Sequence, residues 1–295
     1  MLLLQFLLLA CAGARASTLG ACNPPAALSV AERDRLLQFG ALVRQTLADA
    51  GTEAALVSRS GLDLSRFGQR YSHAGVSLRH GPEAPWSVRQ LYFACDEQRP
   101  RLYDQGLSAF VLGTDDAALG YVSVLLLPAP AAAALAQAAL DDRGALQLLG
   151  GRYSANAYPY STRYQNCNQW VMELLASAWG DLAPGPDERA RAQHWLRGQG
   201  YQPTEFEVGS RWLMALGPLF IRWIHADDHP ASDLDALRFS VSMPASIEAF
   251  VQARLPQARR IEFCHTAYAM VVHPGWTPIA SGCAPVAGDT YVGFD

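Results

Sequence analysis

Charged residues are scarce in this chain, and they form no long run of either sign. Of the 295 residues 17% are charged, with 27 acidic and 23 basic side chains and a formal net charge of −4. A nucleic-acid-binding surface needs Lys and Arg clustered on one face, so we expect no nucleic-acid partner. No Gly-rich phosphate loop stands between a strand and a helix. Half of the residues are hydrophobic, which is enough for a sizeable core.

Long apolar stretches are absent after the first residues. The stretch at residues 2–12 is too short to span a bilayer, and the small-x-small cleavage signature ARA (residues 14–16) follows it. We therefore predict a signal peptide over residues 1–16, export to the periplasm and no transmembrane segment after its removal. The segment LLAC (residues 8–11) also resembles a bacterial lipobox, so a lipoprotein anchored through Cys11 is the alternative.

Cysteines are few and, once the signal peptide is removed, odd in number. Export makes disulfides possible, yet the remaining cysteines cannot all pair with one another. At least one thiol is then free or pairs with another molecule. The cysteines concerned are Cys22, Cys95, Cys167, Cys264 and Cys283.

Hydrophobic periodicity predicts helices and strands in mixed order. A capping box of Ser29 and Glu32 begins a helix over residues 29–50, and Gly51 ends it. Residues 71–79 and 86–94 alternate as the two strands of a hairpin. The other predicted strands are residues 54–58, 121–127, 237–241 and 261–272, and the other predicted helices are residues 131–140, 187–197 and 245–254, with one more near Trp212.

Cys167 lies at the start of a further predicted helix. In NCNQWVMELLASAWG (residues 166–180) apolar residues recur at helical spacing after a loop rich in Tyr, Ser and Asn. Free N–H groups and the helix dipole stabilise a thiolate at such a position and lower a thiol pKa. We therefore expect Cys167 to be the free thiol and a nucleophile. The alternative is a buried cysteine that only fills space.

His73 is the candidate general base. It lies in the first hairpin strand between small residues, which let another backbone or a substrate approach the ring. If Arg79 faces Trp86 across the hairpin, Gln90 and Tyr92 lie on the same face as His73. We favour Gln90 as the group that orients the imidazole, because its amide oxygen accepts a hydrogen bond from a ring N–H. A histidine with an ordinary core role is the alternative.

These motifs, in this order, resemble a known superfamily. YSHAGVSLR, a second strand and a polar loop into NCNQWVMELL are similar to the circularly permuted branch of the NlpC-type, papain-like cysteine hydrolases. YiiX-like proteins and the lecithin–retinol acyltransferase group belong to that branch. The resemblance covers residues 54–180 and implies that Cys167 is the nucleophile, His73 the base and Gln90 the orienting residue. Many relatives carry a carboxylate or a second His as orienting group, so Gln90 is a departure that leaves the imidazole less polarised.

The whole mature chain also resembles a bacterial family of exported proteins, the domain of unknown function 2145. The two resemblances together imply an α+β fold, with an antiparallel sheet packed on helices in permuted papain-like order. We expect the papain-like domain at residues 17–185 and a mixed α/β extension at residues 186–295, which could be part of the same domain. With Cys167 reserved as the nucleophile, Cys264–Cys283 and Cys22–Cys95 are the predicted disulfides, although the sequence alone does not select among the pairings.

The expected function is that of an exported cysteine hydrolase, which cleaves an amide bond through an acyl-enzyme on Cys167. The expected substrate is a cell-envelope peptide, with peptidoglycan peptide as the specific suggestion, and Tyr164, Asn166 and Tyr92 are expected to line the substrate cleft. The alternatives are a lipid acyltransferase or deacylase on the same fold and a non-catalytic envelope-binding protein. No cofactor is expected.

A polar segment near the C-terminal third is the candidate metal site. The sequence IHADDHP (residues 224–230) offers imidazole and carboxylate groups, which are common ligands of divalent metals. Its turn-like composition before a proline favours a solvated loop instead, so we expect no metal.

Overall fold

The computed structural model describes residues 28–113, 116–212, 214, 221 and 223–294. The predicted signal peptide, the possible anchor Cys11 and the predicted disulfide partner Cys22 lie outside the described residues, as does part of the helix predicted near Trp212.

The chain alternates between strands and helices along most of its length. The strands are β1 (Ala54–Arg59), β2 (His73–Leu78), β3 (Ser87–Ala94), β4 (Arg99–Gln105), β5 (Gly120–Leu126), β6 (Thr204–Glu207), β7 (Arg238–Val241), β8 (Arg259–His265), β9 (Ala269–Pro274) and β10 (Thr290–Gly293). The helices are α1 (Val30–Ala50), α2 (Leu107–Leu112), α3 (Ala129–Leu140), α4 (Asp142–Gln147), α5 (Cys167–Trp179), α6 (Glu188–Gly198), α7 (Ala231–Asp235) and α8 (Pro244–Arg254). Among the described residues, no helix is long and apolar enough to cross a membrane.

One antiparallel sheet of eight strands forms the centre of the fold. The strand order is β10-β9-β8-β5-β1-β2-β3-β4, and β6 and β7 form a separate two-stranded sheet. This arrangement confirms the predicted α+β class, an antiparallel sheet packed on helices. The last three strands, from the segment after residue 185, extend the same sheet through the pairing of β8 with β5.

The sheet buries apolar side chains on both faces. Along β1, Ala54 and Leu56 join a core that includes the apolar side of α5, while Ala55 and Val57 join a second core with α1 and α2. Side chains of successive strand residues point to opposite faces, so a strand between two cores reads as a continuous apolar run. The core on the α5 face holds the first residue of that helix, Cys167, and thereby places the candidate nucleophile.

Two local predictions that position the site are confirmed. The helix α1 begins with the Ser29–Glu32 capping box and ends at Gly51, which has a left-handed φ of 65°. In the β2–β3 hairpin Leu78 pairs with Ser87, so the register continues to Arg79 opposite Trp86, as predicted. The prediction that Gln90 orients His73 depends on that register.

Other local predictions are wrong or incomplete. Residues 261–272 form two strands, β8 and β9, because the hydroxyl of Thr266 accepts hydrogen bonds from Tyr268 N and Ala269 N and closes a turn between them. Neither β4 nor α2 was predicted, and the same is true of α4, α7, β6 and β10. The β4 sequence RPRLYDQ combines charge with proline, a composition that fits an edge strand and hides its alternation.

The cysteines divide into oxidised and reduced residues. Cys264 and Cys283 form the predicted disulfide, which joins β8 to the turn after β9. Cys95 is also disulfide-bonded, whereas the Cys22 of the predicted Cys22–Cys95 pair lies outside the described residues. Among the residues that the structure describes, Cys167 is the free cysteine, and it is buried.

Removal of the Cys264–Cys283 disulfide should destabilise the fold without removing the free thiol. The two cysteines are 19 residues apart in the sequence. Closing a loop of this length removes conformational entropy from the unfolded chain and stabilises the folded state by about 3 kcal/mol. We expect the double variant Cys264→Ala/Cys283→Ala to lose about that much free energy of unfolding in urea titrations. An unchanged midpoint and slope would contradict this assignment.

Candidate active site

The first turn of α5 is fixed by its N-cap residue. The side-chain oxygen of Asn166 accepts the backbone N–H of Gln169 at 2.8 Å, and its amide nitrogen donates to the carbonyl of Ala155 at 3.0 Å. Asn166, predicted to line the cleft, is thus a buried capping residue whose side chain holds the preceding loop to the helix. Cys167 is the first residue of the helix, and every residue from Cys167 to Ala176 is buried.

The Cys167 sulfur lies against the start of β2. The backbone N–H of Ala74 forms a hydrogen bond with this sulfur, and the side-chain amide of Asn168 donates to the carbonyl of Ser72 at 3.1 Å. These two contacts bracket His73 along the chain. The helix start and the strand that carries the candidate base are therefore in direct contact.

The His73 imidazole is joined to Gln90 as predicted. Its Nε2 forms a short hydrogen bond with Oε1 of Gln90, and Nε2 of Gln90 donates to Oε1 of Gln105 at 2.7 Å. Gly75 makes this approach possible, because a Cβ there would lie 2.5 Å from Val88 and 3.3 Å from the Cβ of Gln90. The small residues beside His73 were predicted to let another backbone or a substrate approach, and at Gly75 the neighbour is the backbone and side chains of β3.

The charge states of the pair differ from the expected ones. Burial raises the pKa of the Cys167 thiol to about 11, although the N–H groups of Ala74 and Asn168 and the charge of Arg59 act in the opposite direction. The pKa of His73 falls to about 3, first because its ring is removed from water and then because Arg59 is positively charged. The expectation of a thiol with a lowered pKa is therefore wrong for the resting protein. Desolvation outweighs the helix start, and both groups are neutral at pH 7.

Two further residues act on this site: Arg59 was not among the predicted site residues, whereas Tyr153 belongs to the Tyr-rich loop before Cys167, whose tyrosines were candidates for lining the cleft. Arg59, the last residue of β1, is paired in register with His73. Tyr153 has a raised pKa, because its hydroxyl is buried and the charge of a Cys167 thiolate would repel a phenolate. Its ring packs on Phe93 with 4.9 Å between ring centroids. Arg59 could have been found from the register of β1 against β2.

The two tyrosines predicted to line the cleft lie in different surroundings. Tyr164 is 1% exposed, donates a hydrogen bond to Asp227 at 3.3 Å and stacks on His225 with 4.3 Å between ring centroids. Tyr92 is 52% exposed and lies 6.1 Å from the ring of Tyr103. Tyr92 is thus open to a ligand on the strand that carries Gln90, whereas Tyr164 packs against the IHADDHP segment.

The IHADDHP segment packs on the loop before Cys167, which corrects its interpretation as a solvated loop. The carboxylate of Asp228 accepts the N–H of Tyr158 at 2.9 Å, and Nε2 of His229 donates to the carbonyl of Asn156 at 2.7 Å. The side chains of Asp228 and His229 are fully buried. Within the described part of the chain, no three His, Cys, Asp or Glu side chains are placed to hold a metal ion.

A buried ion pair anchors the same loop from the other side. The Glu173 carboxylate, fully buried on α5, pairs with Arg189 of α6 at 2.8 Å. It also accepts hydrogen bonds from the side-chain amides of Gln165, Gln169 and Gln193. Arg189 donates in turn to the carbonyls of Thr162 and Tyr164. The loop that leads into Cys167 is thereby tied to both helices.

Loss of the Glu173 carboxylate should cost far more than loss of an exposed one. Glu173→Ala leaves Arg189 buried without its partner, and breaking a buried pair in this way lowers the free energy of unfolding by about 3–5 kcal/mol. The control Glu205→Ala removes an exposed partner of Arg238, where we expect about 0–1 kcal/mol. Equal small losses in urea denaturation of the two variants would show that the network does not hold the loop.

The raised thiol pKa predicts slow alkylation of Cys167 near neutral pH. Iodoacetamide reacts with the thiolate, and a pKa of about 11 leaves little thiolate at pH 7. The alkylation rate should therefore rise steadily above pH 8, with Cys167→Ala as the blank and circular dichroism as the check that the fold persists. A rate that levels off below pH 8 would mean that the resting site holds a thiolate.

A family comparison covers the residues of this site. The family model described as "Uncharacterized protein conserved in bacteria (DUF2145)" matches residues 46–251, which include His73, Gln90 and Cys167. No curated protein and no solved structure matches the chain. Because the match spans most of the sequence, the chain belongs to the bacterial family DUF2145.

Proposed function

We propose that the protein is an exported cysteine hydrolase that cleaves an amide bond through a thioester acyl-enzyme on Cys167. The observation that carries this proposal is that the free thiol of Cys167, at the start of a helix, contacts the strand that bears His73. The imidazole of His73 is in turn hydrogen-bonded to Gln90. Nucleophile, base and orienting group are the three parts that such chemistry needs. The Cys264–Cys283 disulfide supports export, because disulfides persist in oxidising compartments.

The hydrogen bonds of Gln90 select one tautomer of His73. The amide nitrogen of Gln90 donates to Gln105, so the amide oxygen of Gln90 faces the imidazole ring. An amide oxygen can only accept a hydrogen bond. The ring Nε2 is then the protonated nitrogen. In the neutral ring the lone pair is left on Nδ1, which we assign as the base.

A neutral resting pair implies proton transfer during the attack. As the Cys167 sulfur bonds to the amide carbonyl carbon, its proton moves to Nδ1 of His73. The C–N bond then breaks, and the amine leaves with that proton. Water attacks the thioester next, Nδ1 accepts a proton from it, and the carboxylic acid departs as the thiol regains its proton.

Backbone N–H groups at the start of α5 would stabilise the negative charge that develops. The N–H groups of Cys167 and Asn168 already lower the pKa of the thiol through hydrogen bonding. Donors fixed in this way need no reorganisation when the carbonyl oxygen becomes an oxyanion. They are therefore the candidates for an oxyanion hole.

The proposed substrate is a peptide of the cell envelope, with an acyl lipid as the second candidate. The second candidate is favoured by the apolar surroundings of Cys167, which shares a core with Ala74, Leu91 and Trp170. An acyl chain is compatible with such a lining, whereas a peptide needs polar partners along its backbone.

Intact-protein mass spectrometry after brief incubation with substrate distinguishes these functions. We expect peptidoglycan peptides to give an acyl adduct on Cys167 in the wild type and none in Cys167→Ala or His73→Ala. His80→Ala is the matched control, because His80 is an exposed histidine just beyond β2. We expect Gln90→Leu to slow turnover by roughly 10²–10⁴-fold, the range typical of general acid–base assistance.

The outcomes separate the three candidate functions. An adduct from phospholipid and none from peptide would replace the amidase with a lipid acyltransferase or deacylase. An absence of adduct and of product with both substrates, in folded protein with a reduced Cys167, would contradict catalysis and leave an envelope-binding protein.

A further inference from the structure

Asn168 directly follows the nucleophile on α5, and the proposed mechanism uses only its backbone N–H. Its side chain is buried, at 2% exposure, and reaches the residue before β2. The side-chain amide nitrogen donates to the carbonyl of Ser72 at 3.1 Å and lies 3.8 Å from the sulfur of Met243. The sulfur of the nucleophile accepts the N–H of Ala74, so the first two side chains of α5 contact β2 on either side of His73.

The orientation of this amide leaves one buried acceptor without a donor. A carbonyl oxygen can only accept a hydrogen bond, so the amide nitrogen of Asn168 is the atom that faces Ser72. Among the described residues no group donates to the other amide atom, Oδ1, which is itself buried. Most buried acceptors in native proteins have a donor. An unpaired acceptor next to a nucleophile therefore points to a ligand that brings its own N–H.

A peptide substrate brings such a donor to this place. For the Cys167 sulfur to attack, the carbonyl carbon has to come within about 3–3.5 Å of it. In a peptide, the N–H of the residue that owns this carbonyl is only two bonds away from the carbonyl carbon. Because Cys167 and Asn168 contact the same short segment, residues 72–74, a peptide bound for attack presents that N–H to both side chains. The acyl chain of a lipid has no N–H at this position.

We propose that Asn168 is a substrate-binding residue whose Oδ1 accepts the N–H of the residue that supplies the attacked carbonyl. This inference rests on the proposed function and narrows its substrate to a peptide with a free amide N–H at that residue. A site built around a hydrogen bond rejects an analogue that lacks the donor, because the polar group of the site is then left unpaired. Asn168 thereby selects against acyl lipids and against proline at that position, since proline has no N–H.

A merely structural role of Asn168 has a different signature. In that case its amide only ties α5 to Ser72, and its loss weakens the binding of every ligand by the same factor. A direct hydrogen bond instead couples Asn168 to one N–H of the ligand, and a double-mutant cycle between the side chain and that N–H measures the coupling.

The test measures peptide binding by calorimetry in the Cys167→Ala background, where no thioester can form. The probes are a synthetic peptidoglycan tetrapeptide and its depsipeptide analogues, in each of which one backbone N–H is replaced by an ester oxygen. We expect one analogue to bind roughly tenfold more weakly than the parent, the order expected when a buried acceptor loses its donor. With Asn168→Leu added, the parent should bind about as weakly as that analogue, within about twofold.

Gln169→Leu is the matched control. Gln169 is the next residue of α5, is equally buried and also has an amide oxygen without a donor among the described residues. Its amide nitrogen, however, faces the loop before α5, where it donates to the carbonyl of Ser161 at 3.2 Å. The tenfold preference for the parent peptide should persist in this control. If Asn168→Leu does not fold, Asn168→Ser replaces it, because serine keeps a hydrogen-bond donor while the amide oxygen is removed.

The outcomes separate this inference from the proposed function. A preference that is lost with Asn168 and kept in the control supports the role of Asn168, even if the wild type forms no acyl adduct and the hydrolase proposal fails. A preference that survives the loss of Asn168, or analogues that all bind like the parent, overturns that role, while a peptide adduct on wild-type Cys167 would still support the hydrolase. A parent peptide that does not bind overturns the role of Asn168 as well, and the adduct assay then decides separately on the hydrolase.

Discussion

The geometry of the candidate site depends on the buried ion pair between Glu173 and Arg189. The carboxylate lies on α5, and the guanidinium comes from α6 and reaches the carbonyls of the loop before Cys167. Side-chain amides such as that of Gln165 satisfy the remaining lone pairs of the carboxylate, which is the condition under which a buried pair is tolerated. The backbone of Gln165 also forms an isolated parallel β-bridge with Tyr153. The ion pair therefore fixes the helix that carries the thiol and, through Gln165, the tyrosine beside it.

Burial keeps both Cys167 and His73 uncharged. The core that holds α5 removes Cys167 from water, and the pKa of the thiol rises despite the helix start. The same environment, together with Arg59, keeps the imidazole of His73 neutral. In the proposed mechanism the neutral thiol therefore has to give up its proton when a carbonyl group arrives. The packing that fixes the position of Cys167 is thus also what keeps its thiol uncharged.

The sequence predicted the parts of this site that follow from local rules. The hairpin register placed Gln90 near His73, and the helix period placed Cys167 at a helix start. Properties that depend on tertiary contacts were missed or misjudged. The pKa of Cys167 is set by packing from several elements, and Arg59 acquires its position from the pairing of β1 with β2. The IHADDHP segment is polar in sequence, yet the side chains of Asp228 and His229 are buried and hydrogen-bond to backbone groups of a distant loop. Neither composition nor periodicity reports such contacts.

The central claim is that Gln90 holds His73 as a neutral base with its proton on Nε2. The most direct measurement is ¹⁵N NMR of histidine-labelled protein across pH, with the His73 signals assigned by comparison with His73→Gln. The account predicts a protonated Nε2 and an unprotonated Nδ1 at pH 7, with no titration of this ring until the solution is strongly acidic, because the pKa of His73 is lowered to about 3. An imidazolium at pH 7, or a neutral ring with its proton on Nδ1, would contradict it.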